Sequence, residues 1–213
     1  MDNQWIKIYA PRSKTIVLRV MKGHFTTSHS HVNMYIDLTT MKTRLREASD
    51  AARVIAKQYS ISTIVDTIVC LDGCEVIGAQ LAHELTRIGV PIMNSHNTIY
   101  IITPEFNTNG QMIFRDNIQP AIVGKHILLL VASATTGDTI RRSLECIEYY
   151  GGIVEGINAI FSAVDDIDGT KVHSIFKKKD LPDYYSYKIS DCPFCKAKQK
   201  IDAIIDSFGY IKL

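Results

Sequence analysis

The residues best suited to chemistry in this 213-residue chain form one short run: Ser133, Ala134, Thr135, Thr136, Gly137, Asp138 and Thr139. The run follows the most apolar stretch, His126 to Val131, and precedes a helical pattern with Ile140, Leu144 and Ile147 on one face. A buried strand that ends in a short loop and enters a helix aims several backbone N–H groups at one point. The positive end of the helix faces the same point, and together they favour a bound phosphate. The threonine hydroxyls add donors, and Gly137 lets the backbone approach closely. The plainer use of the same residues is that Asp138 or Thr139 caps a helix.

A second group is Cys192 and Cys195, which have the two-residue spacing of a zinc knuckle. One knuckle supplies two ligands and a closed site needs four, so Cys70 and Cys74, or a second copy of the chain, would have to complete it. We read the pair as reduced and metal-free, with zinc as the second reading. His29 and His31 share a face if their segment is a strand; they read as surface or ligand-facing histidines rather than metal ligands. Asp165, Asp166 and Asp168 precede Gly169 and read as a solvated turn rather than a cation site. Glu75 opens a helical pattern, where an acidic side chain suits the helix N-terminus.

These residues need a scaffold, and the patterning supplies one. From Arg44 onward, helical and strand patterns alternate, which predicts an α/β fold: a mostly parallel sheet flanked by helices. Helices are predicted over Arg44 to Tyr59, with Leu45, Ala48, Ala52, Ile55 and Tyr59 inward, over Glu75 to Ile88, closed by Gly89, and over Thr139 to Tyr150. Strands are predicted at Thr63 to Cys70, Thr98 to Thr103, His126 to Val131, Ile153 to Ala163 and Val172 to Phe176. Pro104 to Lys125 is polar and reads as a long loop or flexible hairpin, a type of segment that is often functional. Three regions follow: a strand-rich hood at 1–40, a core at 41–180 and a tail at 181–213 that returns over the core.

Composition sets the outer limits. A hydrophobic content of 46% and a charged content of 22% suit a globular domain. The net charge of +2 and the lack of a concentrated basic stripe argue against nucleic acid as a partner. No run approaches the length of a membrane span, and Lys7, Arg12, Lys14 and Arg19 interrupt the first 20 residues, so no signal-peptide core is expected. Five cysteines, an odd number, point to a reducing, cytoplasmic setting.

The run from Leu128 to Thr139 resembles the signature of the type I phosphoribosyltransferases, an apolar strand followed by two acidic residues and then Thr-Thr-Gly-x-Ser/Thr. Thr27 to Asp37 resembles the N-terminal hood of the orotate phosphoribosyltransferases. Cys70 to Val76 stands where that family carries its pyrophosphate-binding turn, and Asp191 to Lys196 resembles a C-terminal segment of some orotate enzymes. The similarity runs in order over roughly residues 20 to 200. It implies that residues 133–139 hold the 5-phosphate of phosphoribosyl pyrophosphate or a nucleotide monophosphate. It also implies a pyrophosphate turn at Asp72, Gly73, Cys74 and Glu75, and a base pocket at Ser28, His29, Ser30, His31 and Tyr35. A homodimer and Mg²⁺, if the chain turns over, are implied as well.

The departures from the pattern bear on activity. Val131 and Ala132 stand where the family carries two carboxylates that engage the ribose hydroxyls. His29 and Ser30 replace a Gly and a Lys, and Thr103 to Gly110 holds no basic residue where the family's mobile loop has several. Arg115 and Lys125 are the nearest cations along the chain that could compensate. A charge-assisted hydrogen bond contributes roughly 1.5–3 kcal/mol, so losing three or four could slow transfer on the order of a thousandfold. Two functions follow: phosphoribosyl transfer to a pyrimidine base, or non-catalytic binding of a phosphoribosyl compound by a sensor or regulator.

Overall fold

The computed structural model describes residues 5–28, 30–60, 62–87, 94, 98–108 and 111–213. Strands β1 (Ile6–Ala10), β2 (Ser13–Thr26) and β3 (His31–Asp37) open the chain, followed by helices α1 (Thr39–Thr43) and α2 (Leu45–Ala56). Strand β4 (Thr67–Cys70) leads into α3 (Glu75–Leu85), and then come β5 (Tyr100–Ile102) and the hairpin β6 (Glu105–Phe106) and β7 (Met112–Ile113). Strand β8 (His126–Ala134), helix α4 (Asp138–Tyr149) and β9 (Ile153–Ser162) form the centre. They are followed by β10 (Asp166–Ile167) and β11 (Thr170–Lys177). The remaining chain holds β12 (Ser186–Tyr187), α5 (Pro193–Lys196), β13 (Ala203–Asp206) and β14 (Gly209–Lys212).

The core sheet has the order β10-β11-β9-β8-β4-β5, and every pairing from β11 to β5 is parallel. Alternation along β8 explains how it is buried on both sides. Leu128, Leu130 and Ala132 pack in a cluster with Ile55, Ile77 and Leu81 of α2 and α3, whereas Ile127, Leu129 and Val131 pack in another with Ile140 and Ile147 of α4. Numbered by chain order, the parallel strands run 2-1-3-4-5, so the winding reverses between β4 and β8. Ligands of open α/β sheets bind at the carboxyl ends of the strands at such a reversal.

Several elements are shorter than the patterning predicts. Helix α2 starts at Leu45, whose side chain is exposed, while Ala48, Ala52 and Ile55 are buried as expected. The strand predicted from Thr63 begins only at Thr67, because pairing with β8 and β5 starts there. Helix α3 ends at Leu85 with Thr86 as its C-cap; Ile88 and Gly89 lie outside the described residues. The polar segment after Pro104 is a hairpin, one of the two forms expected of it.

The second sheet runs β12-β3-β2-β13-β14, with β1 also paired to β2. Residues 181–213, expected as a tail over the core, supply β12, β13 and β14 to this hood sheet. Strand β13 adds parallel to the end of β2, at Ala203 against Phe25 and Ile204 against Thr26. Such pairing depends on a partner some 180 positions away, so local patterning carries no trace of it.

Candidate functional site

At the winding reversal, β4 and β8 each end in a loop, and the two loops face the hood across a cleft of about 1190 Å³. The loop after β8 turns on Gly137, whose φ of 84° lies in the left-handed region. A Cβ there would meet the end of the Ile167 side chain, so the backbone conformation, more than packing, favours glycine. Gly137 is the N-cap of α4, a helix of 12 residues whose first N–H groups have no partner within the helix. Ser133, Thr135, Thr136, Asp138 and Thr139 line the cleft beside them. Thr136 Oγ1 donates to Asp138 Oδ2 at 2.9 Å, and Arg141 donates to Asp138 Oδ1 at 3.2 Å and to Asp168 Oδ2 at 3.0 Å. The arginine thereby offsets the negative charge that Asp138 brings to an anion site.

The loop after β4 holds Asp72 and Gly73 at φ of 57° and 76°. The Asp72 carboxylate lines the cleft and accepts a long bond, 3.4 Å, from the backbone N–H of Ala132. Burial holds its pKa above the ordinary carboxylate range, against the opposing pull of the Ala132 N–H and the Lys42 ammonium. Lys42, on α1, donates to the carbonyls of Asp72 at 2.7 Å and Ser207 at 2.6 Å.

Across the cleft stand Thr26, Thr27, Ser28, Ser30 and Tyr35, with Lys178 and Lys188 at its margin. Thr27 Oγ1 accepts from the Ser30 N–H at 2.9 Å and closes the turn between β2 and β3. Burial pushes the Tyr35 phenol up to about 12, so it stays protonated at neutral pH and keeps an O–H to donate. No helix among the described residues is long and apolar enough to cross a membrane.

No known family's sequence model matches the chain. It is 25% identical to an orotate phosphoribosyltransferase of Pelotomaculum thermopropionicum over 182 residues, covering 83% of this chain and 85% of that protein. Among solved structures, the orotate phosphoribosyltransferase of Aeropyrum pernix superposes with a TM-score of 0.54 at 17% identity, covering 76% of this chain and 90% of that one. The adenine phosphoribosyltransferase of Thermoanaerobacter pseudethanolicus gives 0.51 at 16% identity, covering 81% and 95%. The fold is that of the type I phosphoribosyltransferases.

Within that phosphoribosyltransferase fold, several expected residues take other places. His31 is buried and faces away from the cleft, with its Nδ1 2.9 Å from His24 Nε2 and 3.3 Å from Cys195 Sγ. His29 lies outside the described residues. Ala134 and Cys74 are buried in the core, and Glu75 accepts from Thr103 Oγ1 at 2.8 Å. Cys70 and Cys74 take no part in holding Cys192 and Cys195. Both sit in the first core cluster, where burial raises their thiol pKa values.

Val131 and Ala132 differ in a way that sequence position hides. Ala132 lines the cleft, but Val131 points into the opposite cluster at 1% exposure. Arg115 is taken up by Glu105 at 2.6 and 3.0 Å, and neither it nor Lys125 lines the cleft. Among the described residues the cations that do are Lys42, Lys178 and Lys188, whose convergence on the cleft no motif marks. Of the aspartates near Gly169, Asp168 pairs with Arg141, Asp165 pairs with Lys177 and Asp166 accepts the Gly169 N–H at 3.0 Å, a turn held by its own bonds.

Proposed function

We propose that the cleft binds a phosphoribosyl compound, phosphoribosyl pyrophosphate or a nucleotide monophosphate, by its 5-phosphate at residues 133–139. The observation that carries this reading is the opening of Thr135, Thr136 and the α4 N-terminal residues Asp138 and Thr139 into the same cleft as Asp72, Lys42 and the hood turn. The base would lie against Ser28, Ser30 and Tyr35, and the pyrophosphate against the Asp72–Gly73 turn with Lys42 nearby. A thermal-shift series with ribose 5-phosphate tests it: stabilisation by ribose 5-phosphate and none by ribose supports the reading. Equal effects of the two would sink it.

Magnesium, which the resemblance implies, meets a small donor set. Among the described residues the cleft carboxylates are Asp72, Asp138 and Asp206. Asp138 is held by Thr136 and Arg141, and Asp206 Oδ1 accepts the N–H groups of Phe208 and Gly209 at 2.8 and 3.0 Å. Asp72 is left. Magnesium takes one or two carboxylates alongside substrate phosphates and water, so Asp72 fits as this chain's share. The ion would there neutralise charge on a leaving pyrophosphate.

The similarity to the Pelotomaculum enzyme favours a second reading, transfer of phosphoribose to a pyrimidine base such as orotate. The cleft face of β8 offers Ala132 and Ser133 in place of carboxylates, which favours binding without efficient turnover, as in a sensor or regulator. Pyrophosphate release measured with a panel of bases separates the two; release at an ordinary enzyme rate would exclude the sensor. A homodimer in the cytoplasm completes the proposal. The exposed β6–β7 hairpin, with Phe106 half in solvent, is the segment suited to reach a second copy.

A further inference from the structure

We infer that His24, His31, Cys192 and Cys195 form a structural zinc site that clamps the hood to the C-terminal strands. The four ligand atoms lie within 4.8 Å of one another. His24 Nε2 stands 2.9 Å from His31 Nδ1, 3.5 Å from Cys192 Sγ and 3.7 Å from Cys195 Sγ, and Cys195 Sγ stands 3.3 Å from His31 Nδ1. With Zn–N near ~2.0 Å and Zn–S near ~2.3 Å, a tetrahedron has edges of roughly 3.3 to 3.8 Å. The observed separations bracket those edges, and two histidines with two cysteines make a ligand set that zinc fills without water.

The surroundings of His24 choose its tautomer. Its Nδ1 faces the carbonyls of Gln199 and Lys200 at 3.1 and 3.2 Å, and carbonyls only accept. Nδ1 therefore carries the proton and Nε2 turns its lone pair toward the cluster. A carbonyl behind the metal-bound ring is the usual outer support of a zinc histidine. His24, His31 and Cys192 are buried, while Cys195 stands at the surface and gives a metal its way in. The Phe194 ring lies 5.2 Å from the His24 ring and covers the site.

The topology explains why a clamp is useful at this point. His24 and His31 flank the β2–β3 turn, Cys192 is the N-cap of a short helix that leads toward β13, and Cys195 lies on that helix. Strand β13 meets β2 at only two register pairs, Ala203–Phe25 and Ile204–Thr26. A bound ion would join both segments within a few residues of that contact.

The test is metal analysis of reduced protein, stripped with a chelator and reloaded with zinc or cobalt. One zinc per chain that survives dialysis is expected, with a melting temperature that falls on stripping and recovers on reloading. Cobalt should give thiolate charge-transfer bands and the intense visible bands of a tetrahedral ion. Cys195→Ser should lose the metal or hold it many-fold more weakly. His31→Cys preserves a tetrahedral set, so it should keep the metal and shift the cobalt bands toward a three-thiolate pattern. The inference is overturned if the reduced wild-type chain takes up no zinc, if cobalt shows a weak six-coordinate spectrum, or if Cys195→Ser binds as well as wild type.

Discussion

Lys42 Nζ donates to the main-chain carbonyl of Asp72 at 2.7 Å and, with another proton, to that of Ser207 at 2.6 Å. One ammonium thus ties the left-handed turn after β4 to the hairpin that ends the hood sheet, across the mouth of the cleft. Hydrogen bonds to a charged group contribute roughly 1.5–3 kcal/mol each. Lys42→Met keeps the aliphatic stem and removes the charge, so affinity for a phosphoribosyl compound should fall about tenfold or more. Unchanged affinity by calorimetry would show that the tie is incidental.

Gly137→Ala should remove phosphate binding. The left-handed φ of 84° costs a non-glycine residue roughly 1–2 kcal/mol, and the new Cβ displaces the end of the buried Ile167 side chain. The turn relaxes away from its left-handed φ to relieve the strain, and the N–H groups around it lose their common aim. Urea unfolding should show a loss of about 2–4 kcal/mol, with ribose 5-phosphate no longer stabilising the variant.

Asp72 gives a pH signature with a definite sign. Its folded pKa is raised by burial, so the native state binds the proton more tightly than the unfolded chain. Stability linked to this group is fully present below the ordinary aspartate value of 3.8 and is lost as pH rises through the folded value. Asp72→Asn tolerates the left-handed φ and stays neutral. The variant should melt above wild type at neutral pH, with the gap closing as the pH falls through the raised folded value and gone below the ordinary one. A gap that widens on acidification would reverse the assignment.

The two residues standing where carboxylates were expected should respond differently to restoration. Val131→Asp places a carboxylate in the apolar cluster against α4 and should cost at least about 3 kcal/mol in urea unfolding. Ala132→Asp faces the cleft and should cost clearly less, while crowding Asp72 and raising the pKa of the pair. Equal costs at the two positions would contradict the facing of β8.

The contrast between these residues shows which parts of the molecule local patterning reveals. The β8–loop–α4 unit was legible because an apolar strand, a glycine turn and a 3.6-residue repeat are all encoded within about two dozen neighbouring positions. Lys42 was not, because nothing near it marks a lysine whose partners lie 30 and 165 positions away. Cys192 and Cys195 stood out by spacing, yet His24 was missed. It lies in a strand and looks like any other residue there, and its partners come from a segment whose place depends on strand addition. The available signal was the pair His24 and His31 on either side of one turn, together with a distant two-residue cysteine spacing. The resemblance places His31 in the base pocket with Ser28 and Ser30; those two do line the cleft, whereas β3 turns the His31 side chain to the other side.

The most direct test of the account is calorimetric titration of the full chain with phosphoribosyl pyrophosphate, ribose 5-phosphate, orotate and orotidine monophosphate, each with and without Mg²⁺. The account predicts saturable heat with every 5-phosphorylated compound, none with orotate alone, and loss of the signal in Gly137→Ala. Absence of heat with all the 5-phosphorylated compounds, or equal binding by Gly137→Ala, would contradict the assignment of residues 133–139 as a phosphate site.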